Sequence, residues 1–109
     1  MIAIINSGGA NIASVKFALE RLDVRSVLTD DVNVIRSADK VVLPGVGAAP
    51  VAMQRLASAG LIDCIRTLQQ PVLGICLGMQ LLFSRSAEGD VPLLGLFDAT
   101  CNAFTPTLQ

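Results

Sequence analysis

The chain has 109 residues, of which 52% are hydrophobic and 16% charged, with a formal net charge of -1. This length suits one domain with a single core, and the apolar excess is typical of parallel strands buried on both faces. The eight lysines and arginines are scattered, which argues against nucleic acid as a partner, and no apolar run is long enough to span a membrane.

The first part of the chain alternates short apolar runs with segments of helical periodicity. Apolar residues recur every three or four positions from Ile12 to Leu22, with Asn11 as the expected N-cap. The elements predicted here are, in chain order, strand Ile2–Ile5, a helix from Ile12 to Leu22, strand Val24–Leu28, short helix Asp31–Ser37 and strand Lys40–Leu43.

The second part continues the alternation as far as a polar stretch after Phe83. Gly60 is expected to end the helix that precedes it. The predicted elements are helix Ala48–Ala59, helix Leu61–Leu68, strand Val72–Ile75, helix Met79–Phe83, a loop over Arg85–Pro92, and strands Leu93–Phe97 and Cys101–Phe104.

Strands and helices that alternate at this spacing predict an α/β fold, with a parallel sheet and helices on both faces. In the flavodoxin-like strand order 2-1-3-4-5, strands three and four are neighbours. We therefore expect the loops that follow Leu43 and Ile75 to lie side by side at the carboxyl edge of the sheet.

Gly74-Ile75-Cys76-Leu77-Gly78 has the layout of a nucleophile elbow, with cysteine in place of serine. The two glycines leave room where a side chain would strike the neighbouring backbone. The helix that starts at Leu77 directs free N–H groups at the sulfur and favours the thiolate, and the Leu77 N–H is placed to donate to an oxyanion. The alternative is an ordinary buried cysteine, which the strand-to-helix context disfavours.

The segment Pro44-Gly45-Val46-Gly47 follows the neighbouring strand. Its glycines allow backbone N–H groups to face the edge of the sheet and to supply a second oxyanion donor. Taken alone, this segment is better explained as a plain strand-to-helix turn. Gln80, one helical turn after Cys76, is placed either to reach a polar substrate group or to face solvent.

The remaining cysteines and the composition of the chain limit the other functions. Cys64 and Cys101 have no motif around them and are interpreted as structural. Three unevenly spaced cysteines do not predict a disulfide framework, so we expect a cytoplasmic protein. Asn6–Asn11 lacks the spacing of a nucleotide-binding loop, and the sequence predicts neither a cofactor nor a metal. The chain has no histidine.

Three segments together resemble the class I (triad) glutamine amidotransferases. Pro71–Gln80 is similar to their nucleophile segment, and Leu43–Gly47 is similar to their oxyanion strand. With Asn6–Val15 included, the pattern is most similar to the glutaminase subunits of imidazole glycerol phosphate synthase. Asn6 departs from the aspartate usual in that family.

The resemblance implies that Cys76 attacks the side-chain amide of glutamine, releasing ammonia for a partner cyclase subunit with a (β/α)8 barrel fold. By position, Leu77 is a backbone oxyanion donor, Gly45 and Val46 form the oxyanion strand with Gly47, and Gly47 and Gln80 help to hold the substrate. Asn11 and its neighbours would lie near the cyclase interface.

The resemblance covers the N-terminal part of the family's single domain, and the other part carries the triad histidine and glutamate. We therefore expect residues 1–109 alone to be inactive and to self-associate, with Leu93–Phe104 taking part. Two alternatives are open: a non-catalytic amidotransferase-like module that binds a partner, and a PfpI-like cysteine protein, whose elbow sequence differs.

Overall fold

The computed structural model describes residues 1–7, 12–45, 47–87 and 91–101, with the backbone alone at residue 101. Its elements are, in chain order, β1 (Ile2–Ile5), α1 (Ile12–Arg21), β2 (Ser26–Thr29), α2 (Val32–Ser37), β3 (Lys40–Gly45), α3 (Ala49–Ser58), α4 (Ile62–Arg66), β4 (Val72–Cys76), α5 (Leu77–Leu81), β5 (Phe83–Ser86), β6 (Val91–Pro92) and β7 (Phe97–Cys101).

A four-stranded parallel sheet in the order β2-β1-β3-β4 is the centre of the fold. Ile4 lies between Leu28 of β2 and Val42 of β3, and Val42 lies opposite Leu73 of β4. This arrangement confirms the predicted parallel sheet and the first four positions of the predicted order. The fifth strand of that order is not part of this sheet within the described residues.

Helices cover both faces of this sheet, as predicted, because the side chains of each strand alternate between two apolar clusters. Ile4 and Val42 pack with Ile12 of α1 in one cluster. Ala3 and Ile5 pack in the other cluster, with side chains from the four remaining helices. The longest described helices have 10 residues, and none of the helices in the described ranges is long and apolar enough to cross a membrane.

The chain after α5 differs from the prediction. The loop predicted over Arg85–Pro92 contains the second half of β5 and all of β6, and these strands form a second sheet in the order β6-β5-β7. Strand β6 is antiparallel to β5, whereas β7 is parallel to it. The prediction missed these strands because β5 is polar and β6 has only two residues.

The predicted strand Leu93–Phe97 is also wrong. Leu93 and Leu94 are buried between strands, and Gly95 turns the chain with a φ of 75° before β7 begins at Phe97. Arg66 of α4 fixes this segment, donating from Nε to the Leu94 carbonyl at 2.8 Å and from Nη2 to the Leu93 carbonyl at 3.2 Å. The predicted strand Cys101–Phe104 lies outside the described residues except for Cys101.

Several predicted boundaries shift by one to three residues. Strand β2 starts at Ser26 instead of Val24, because Val24 N–H still donates to the Leu19 carbonyl in the turn that ends α1. Helix α5 spans Leu77–Leu81 instead of Met79–Phe83. Helix α4 is shorter than the predicted Leu61–Leu68. Gly60 ends α3 as predicted, with a φ of 72°. The predicted N-cap at Asn11 lies outside the described residues.

Candidate active site

The carboxyl ends of β3 and β4 meet at one edge of the central sheet. Leu43 lies opposite Gly74, Pro44 opposite Ile75, and Gly45 opposite Cys76. The two loops that the sequence predicted to be neighbours are therefore side by side. Any group bound above Cys76 would also lie above the end of β3.

Cys76 occupies a sharp turn between β4 and α5. Its backbone has φ 55° and ψ -125°, and it is the residue immediately before the first residue of α5. A positive φ is uncommon for a residue with a side chain and costs free energy that the surrounding structure has to supply. The thiol is exposed, so the strained turn presents the sulfur to solvent above the strand ends.

Glycines allow this turn to pack directly against β3. A Cβ atom at Gly74 would lie 2.6 Å from the Met79 Cα, and one at Gly45 would lie 2.9 Å from the Gly78 nitrogen. A Cβ at Gly78 would overlap the carbonyl oxygen of Leu43. These contacts are with backbone atoms, which have little freedom to move. The elbow therefore requires glycine at these positions.

Of the other predicted site residues, Leu77 and Gln80 lie on α5 directly after Cys76, and Gly47 lies in the loop after β3. Leu77 begins α5 and has a buried side chain, and its N–H belongs to the first helical turn, which lacks partners within the helix. Gln80 is half-buried one turn further along. Gly47 is exposed, with a φ of 94°. Val46 lies outside the described residues.

The two remaining cysteines are not placed at this site. Cys64 is 2% exposed on α4 and packs in the large apolar cluster, in agreement with its structural interpretation. Cys101 is described only by its backbone. The exposed Cys76 is therefore the cysteine that the described structure makes accessible at the edge of the sheet.

Ser7, which follows β1, also belongs to this edge, and the sequence analysis did not identify it. It is 5% exposed, and its hydroxyl donates to the carbonyl oxygen of Pro44. The predicted strand order could have identified Ser7, because in a 2-1-3-4 sheet the carboxyl end of β1 is next to that of β3. A small polar residue directly after β1 was therefore a candidate for a contact with the end of β3.

Two polar features lie at the amino-terminal ends of the strands, at the edge of the central sheet opposite to Cys76. Asp39 precedes β3, and a hydrogen bond from the Met1 ammonium holds the pKa of its carboxyl below the ordinary value. A depression of about 300 Å³ is lined by residues from the end of α1 to the start of β2, including Glu20 and Arg25. Neither feature supplies a base to the thiol, and the chain has no histidine.

Comparison with known families gives a match over most of the chain. The sequence model of the family described as "Glutamine amidotransferase class-I" matches residues 3–98. A solved structure described as "Crystal structure of glutamine amidotransferase" superposes with a TM-score of 0.79 at 19% identity, covering 93% of this chain and 55% of that chain. At this identity, the superposition shows a shared fold.

Curated relatives give a closer sequence match. The chain is 53% identical over 107 residues to imidazole glycerol phosphate synthase subunit HisH of Xanthomonas axonopodis pv. citri strain 306, covering 98% of this chain and 54% of the relative. It is 52% identical over 105 residues to the subunit of the same name from Xylella fastidiosa strain Temecula1, covering 96% of this chain and 52% of that relative. The chain thus spans about half the length of the curated relatives it matches.

Proposed function

The chain belongs to the class-I glutamine amidotransferases, and we propose that it carries the nucleophile of a glutaminase serving imidazole glycerol phosphate synthase. The observation that carries this proposal is the exposed thiol of Cys76 on a positive-φ turn beside the end of β3. The 53% identity to a HisH subunit supports the choice of this member of the family.

In the proposed reaction, the Cys76 sulfur attacks the side-chain carbonyl carbon of glutamine, and a C–S bond forms. The negative charge on the oxygen is stabilised by the Leu77 N–H and by the backbone of Gly45, Val46 and Gly47. The C–N bond then breaks, ammonia leaves, and water hydrolyses the thioester to glutamate. Gln80 helps to hold the substrate.

The proton transfers in the proposed reaction require a base, and none of the site residues named above is a base. The thiol has to lose a proton, and the leaving nitrogen has to gain one, which a histidine does in cysteine–histidine pairs. The chain has no histidine. We therefore assign the base and its orienting carboxylate to residues outside the 109, and we expect these 109 residues alone to be inactive.

The partner in this proposal is a cyclase subunit with a (β/α)8 barrel fold, which receives the ammonia for histidine biosynthesis. Support comes from the relatives, whose shared name makes each of them one subunit of imidazole glycerol phosphate synthase. A cytoplasmic location is part of the same proposal, and it is consistent with the two free cysteines of the described residues.

A non-catalytic amidotransferase-like module is the second candidate function. It rests on the same fold and exposed thiol, because a thiol without a base turns over poorly and these residues alone supply none. The two candidates differ in whether the edge around Cys76 binds glutamine. A glutaminase requires a site for the glutamyl group, and a scaffold does not.

The test uses the chloroketone analogue of glutamine, from which the thiolate displaces chloride to form a C–S bond. We expect the analogue to modify Cys76, and excess glutamine to slow the modification at least about tenfold while asparagine does not. Peptide mapping by mass spectrometry locates the adduct, and a Cys76→Ala variant is the control. Modification that glutamine does not slow would favour the scaffold over the glutaminase.

A further inference from the structure

We infer that Ser7 is a positioning residue for the oxyanion side of the site, acting through the peptide that joins Pro44 to Gly45. The observation is the buried Ser7 hydroxyl, which donates to the Pro44 carbonyl. This inference rests on the proposed glutaminase function, because it assigns Ser7 to the same site. Ser7 is not a catalytic residue, since its hydroxyl is occupied by the protein backbone.

The end of β3 needs a partner at this point. The pairing of β1 with β3 stops at Ile4 and Val42, whereas β3 continues next to β4 as far as Gly45. Pro44 has no N–H, so it cannot donate to a neighbouring strand, and only its carbonyl remains to be satisfied. The Ser7 hydroxyl takes the place that a further residue of β1 would have taken.

The direction of this carbonyl follows from the alternation along the strand. Val41 N–H donates to the Pro71 carbonyl on the β4 side at 2.9 Å, so the backbone groups of Leu43 and Gly45 also face β4. Those of Val42 and Pro44 face β1. In a trans peptide, the Pro44 carbonyl and the Gly45 N–H lie in one plane and point in opposite directions. A bond that fixes the carbonyl therefore also fixes the Gly45 N–H toward β4 and Cys76.

Ser7 is itself held firmly enough to act as an anchor. Its N–H donates to the Ile5 carbonyl at 2.9 Å, which closes a tight turn at the end of β1. The preceding Asn6 N–H donates to the Thr29 carbonyl of β2 at 3.0 Å. Backbone bonds therefore hold the Asn6–Ser7 segment to β1 and β2, and the Ser7 hydroxyl joins it to the end of β3.

The consequence for the site is a fixed direction for Gly45, the first glycine of the predicted oxyanion segment. Glycines allow many backbone directions, so a segment with two of them needs an external constraint if its N–H groups are to be preorganised. Preorganised donors are effective because no reorganisation is needed when charge develops. Without the Ser7 hydroxyl, the Pro44 carbonyl loses its partner, and the Pro44–Gly45 peptide is held only by its pairing with β4.

The test compares the 109-residue chain with its Ser7→Ala and Ser7→Thr variants, and Ser84→Ala is the matched control. Ser84 also donates a hydroxyl to a backbone carbonyl, that of Ala99 at 2.7 Å, but it lies in the second sheet. One readout is amide hydrogen exchange at Gly45, with Val41 as the internal reference. The other is the rate of Cys76 alkylation by the glutamine chloroketone relative to iodoacetamide. The thiolate adds to the ketone carbon of the chloroketone, which puts negative charge on the oxygen before the sulfur displaces chloride, whereas iodoacetamide reacts by direct displacement of iodide without an oxyanion.

For Ser7→Ala we expect exchange at Gly45 to accelerate at least about tenfold relative to Val41, and the chloroketone rate to fall about tenfold while the iodoacetamide rate stays within about twofold. Ser7→Thr, which keeps the hydroxyl, and Ser84→Ala should change neither readout. An equal fall with both reagents, or unchanged exchange at Gly45, would overturn the inference.

A further check uses the unmodified chain, so it does not depend on whether a variant folds. Gly45 should exchange about as slowly as Val41, and exchange as fast as at the exposed Gly47 would also overturn the role of Ser7. A failure of the glutaminase proposal is a different result: glutamine would not protect Cys76 of the unmodified chain from the chloroketone, whatever the exchange data show.

Discussion

At the scale of single residues, the turn at Cys76 depends on the glycines around it as much as on the cysteine itself. Cys76 has a backbone conformation that is unfavourable for a residue with a Cβ. The turn around it is stabilised because Gly78 and Gly74 bring the start of α5 into contact with the strands. The motif in the sequence predicted this arrangement, since each position of the motif has a steric reason.

Gly78 gives the sharpest stability prediction at this scale. Gly78→Ala puts a methyl group onto the backbone carbonyl of Leu43, and we expect it to lower the free energy of unfolding by at least about 3 kcal/mol. Gly47→Ala is the matched control, because its Cβ meets nothing within 4 Å and only the φ of 94° is unfavourable. It should cost about 1–2 kcal/mol. Urea unfolding of both variants measures the difference, and equal losses would contradict the steric explanation.

The two described cysteines should differ in reactivity. Cys76 is exposed, whereas Cys64 is buried in the main apolar cluster. In the folded chain at neutral pH, we expect iodoacetamide to modify Cys76 at least about tenfold faster than Cys64. Peptide mapping after short exposure gives the two rates. If Cys64 were modified first, the assignment of the accessible thiol would be wrong.

At the scale of elements, the central sheet could be predicted from the sequence and the second sheet could not. Strands β1 and β3 are apolar runs bounded by turn residues, and such runs are the strongest strand signal. Strand β5, Phe-Ser-Arg-Ser, has no comparable signal. Its structure depends on pairing with β6 and β7, which the pattern of its own four residues does not encode.

Ser7 illustrates the same limit within the site. Its residue type is typical of a turn. Its bond to Pro44 spans 37 positions of the sequence, so it becomes visible only after the strand order is known. Local patterns thus predicted the sharp turn at Cys76 and its glycines but not the hydroxyl that bonds to the end of the neighbouring strand.

Arg66 joins α4 to the segment between β6 and β7, and its replacement should loosen the second sheet. Arg66→Met removes the two donors that hold the Leu93 and Leu94 carbonyls, and because Arg66 is itself exposed we expect a loss of only about 1 kcal/mol. Arg55→Met, at an exposed position of α3, is the control and should stay within about 0.5 kcal/mol of the unmodified chain. Thermal unfolding measures both. An Arg66 variant as stable as the control would show that these bonds contribute nothing.

At the scale of the whole molecule, one edge of the central sheet carries exposed apolar surface. The described residues place no strand beyond β4. Leu73 lies on the same face of the sheet as Val42, which α1 covers, yet 60% of its surface is exposed. An open edge next to apolar surface favours association with another chain. The segment predicted to mediate association, Leu93–Phe104, is in part paired with β5 inside the chain.

We expect the 109-residue chain to be at least a dimer in solution, with the β4 edge in the contact. Leu73→Glu should shift it toward the monomer, because a charge buried in such a contact is costly. Val51→Glu is the matched control, since Val51 is similarly exposed but lies on α3. Size-exclusion chromatography with light scattering gives the masses. A monomer at high concentration, or an equal effect of both variants, would contradict this prediction.

The measurement that tests the central claim most directly is the initial rate of glutamate release from glutamine. It is made on the 109-residue chain and on a fusion that continues it with the unmatched remainder of the Xanthomonas HisH relative, each with the cyclase subunit present. We expect no release above background from the chain alone, and release from the fusion that Cys76→Ala lowers by several orders of magnitude. Cys76-dependent release from the chain alone, or release from the fusion that survives Cys76→Ala, would contradict the account.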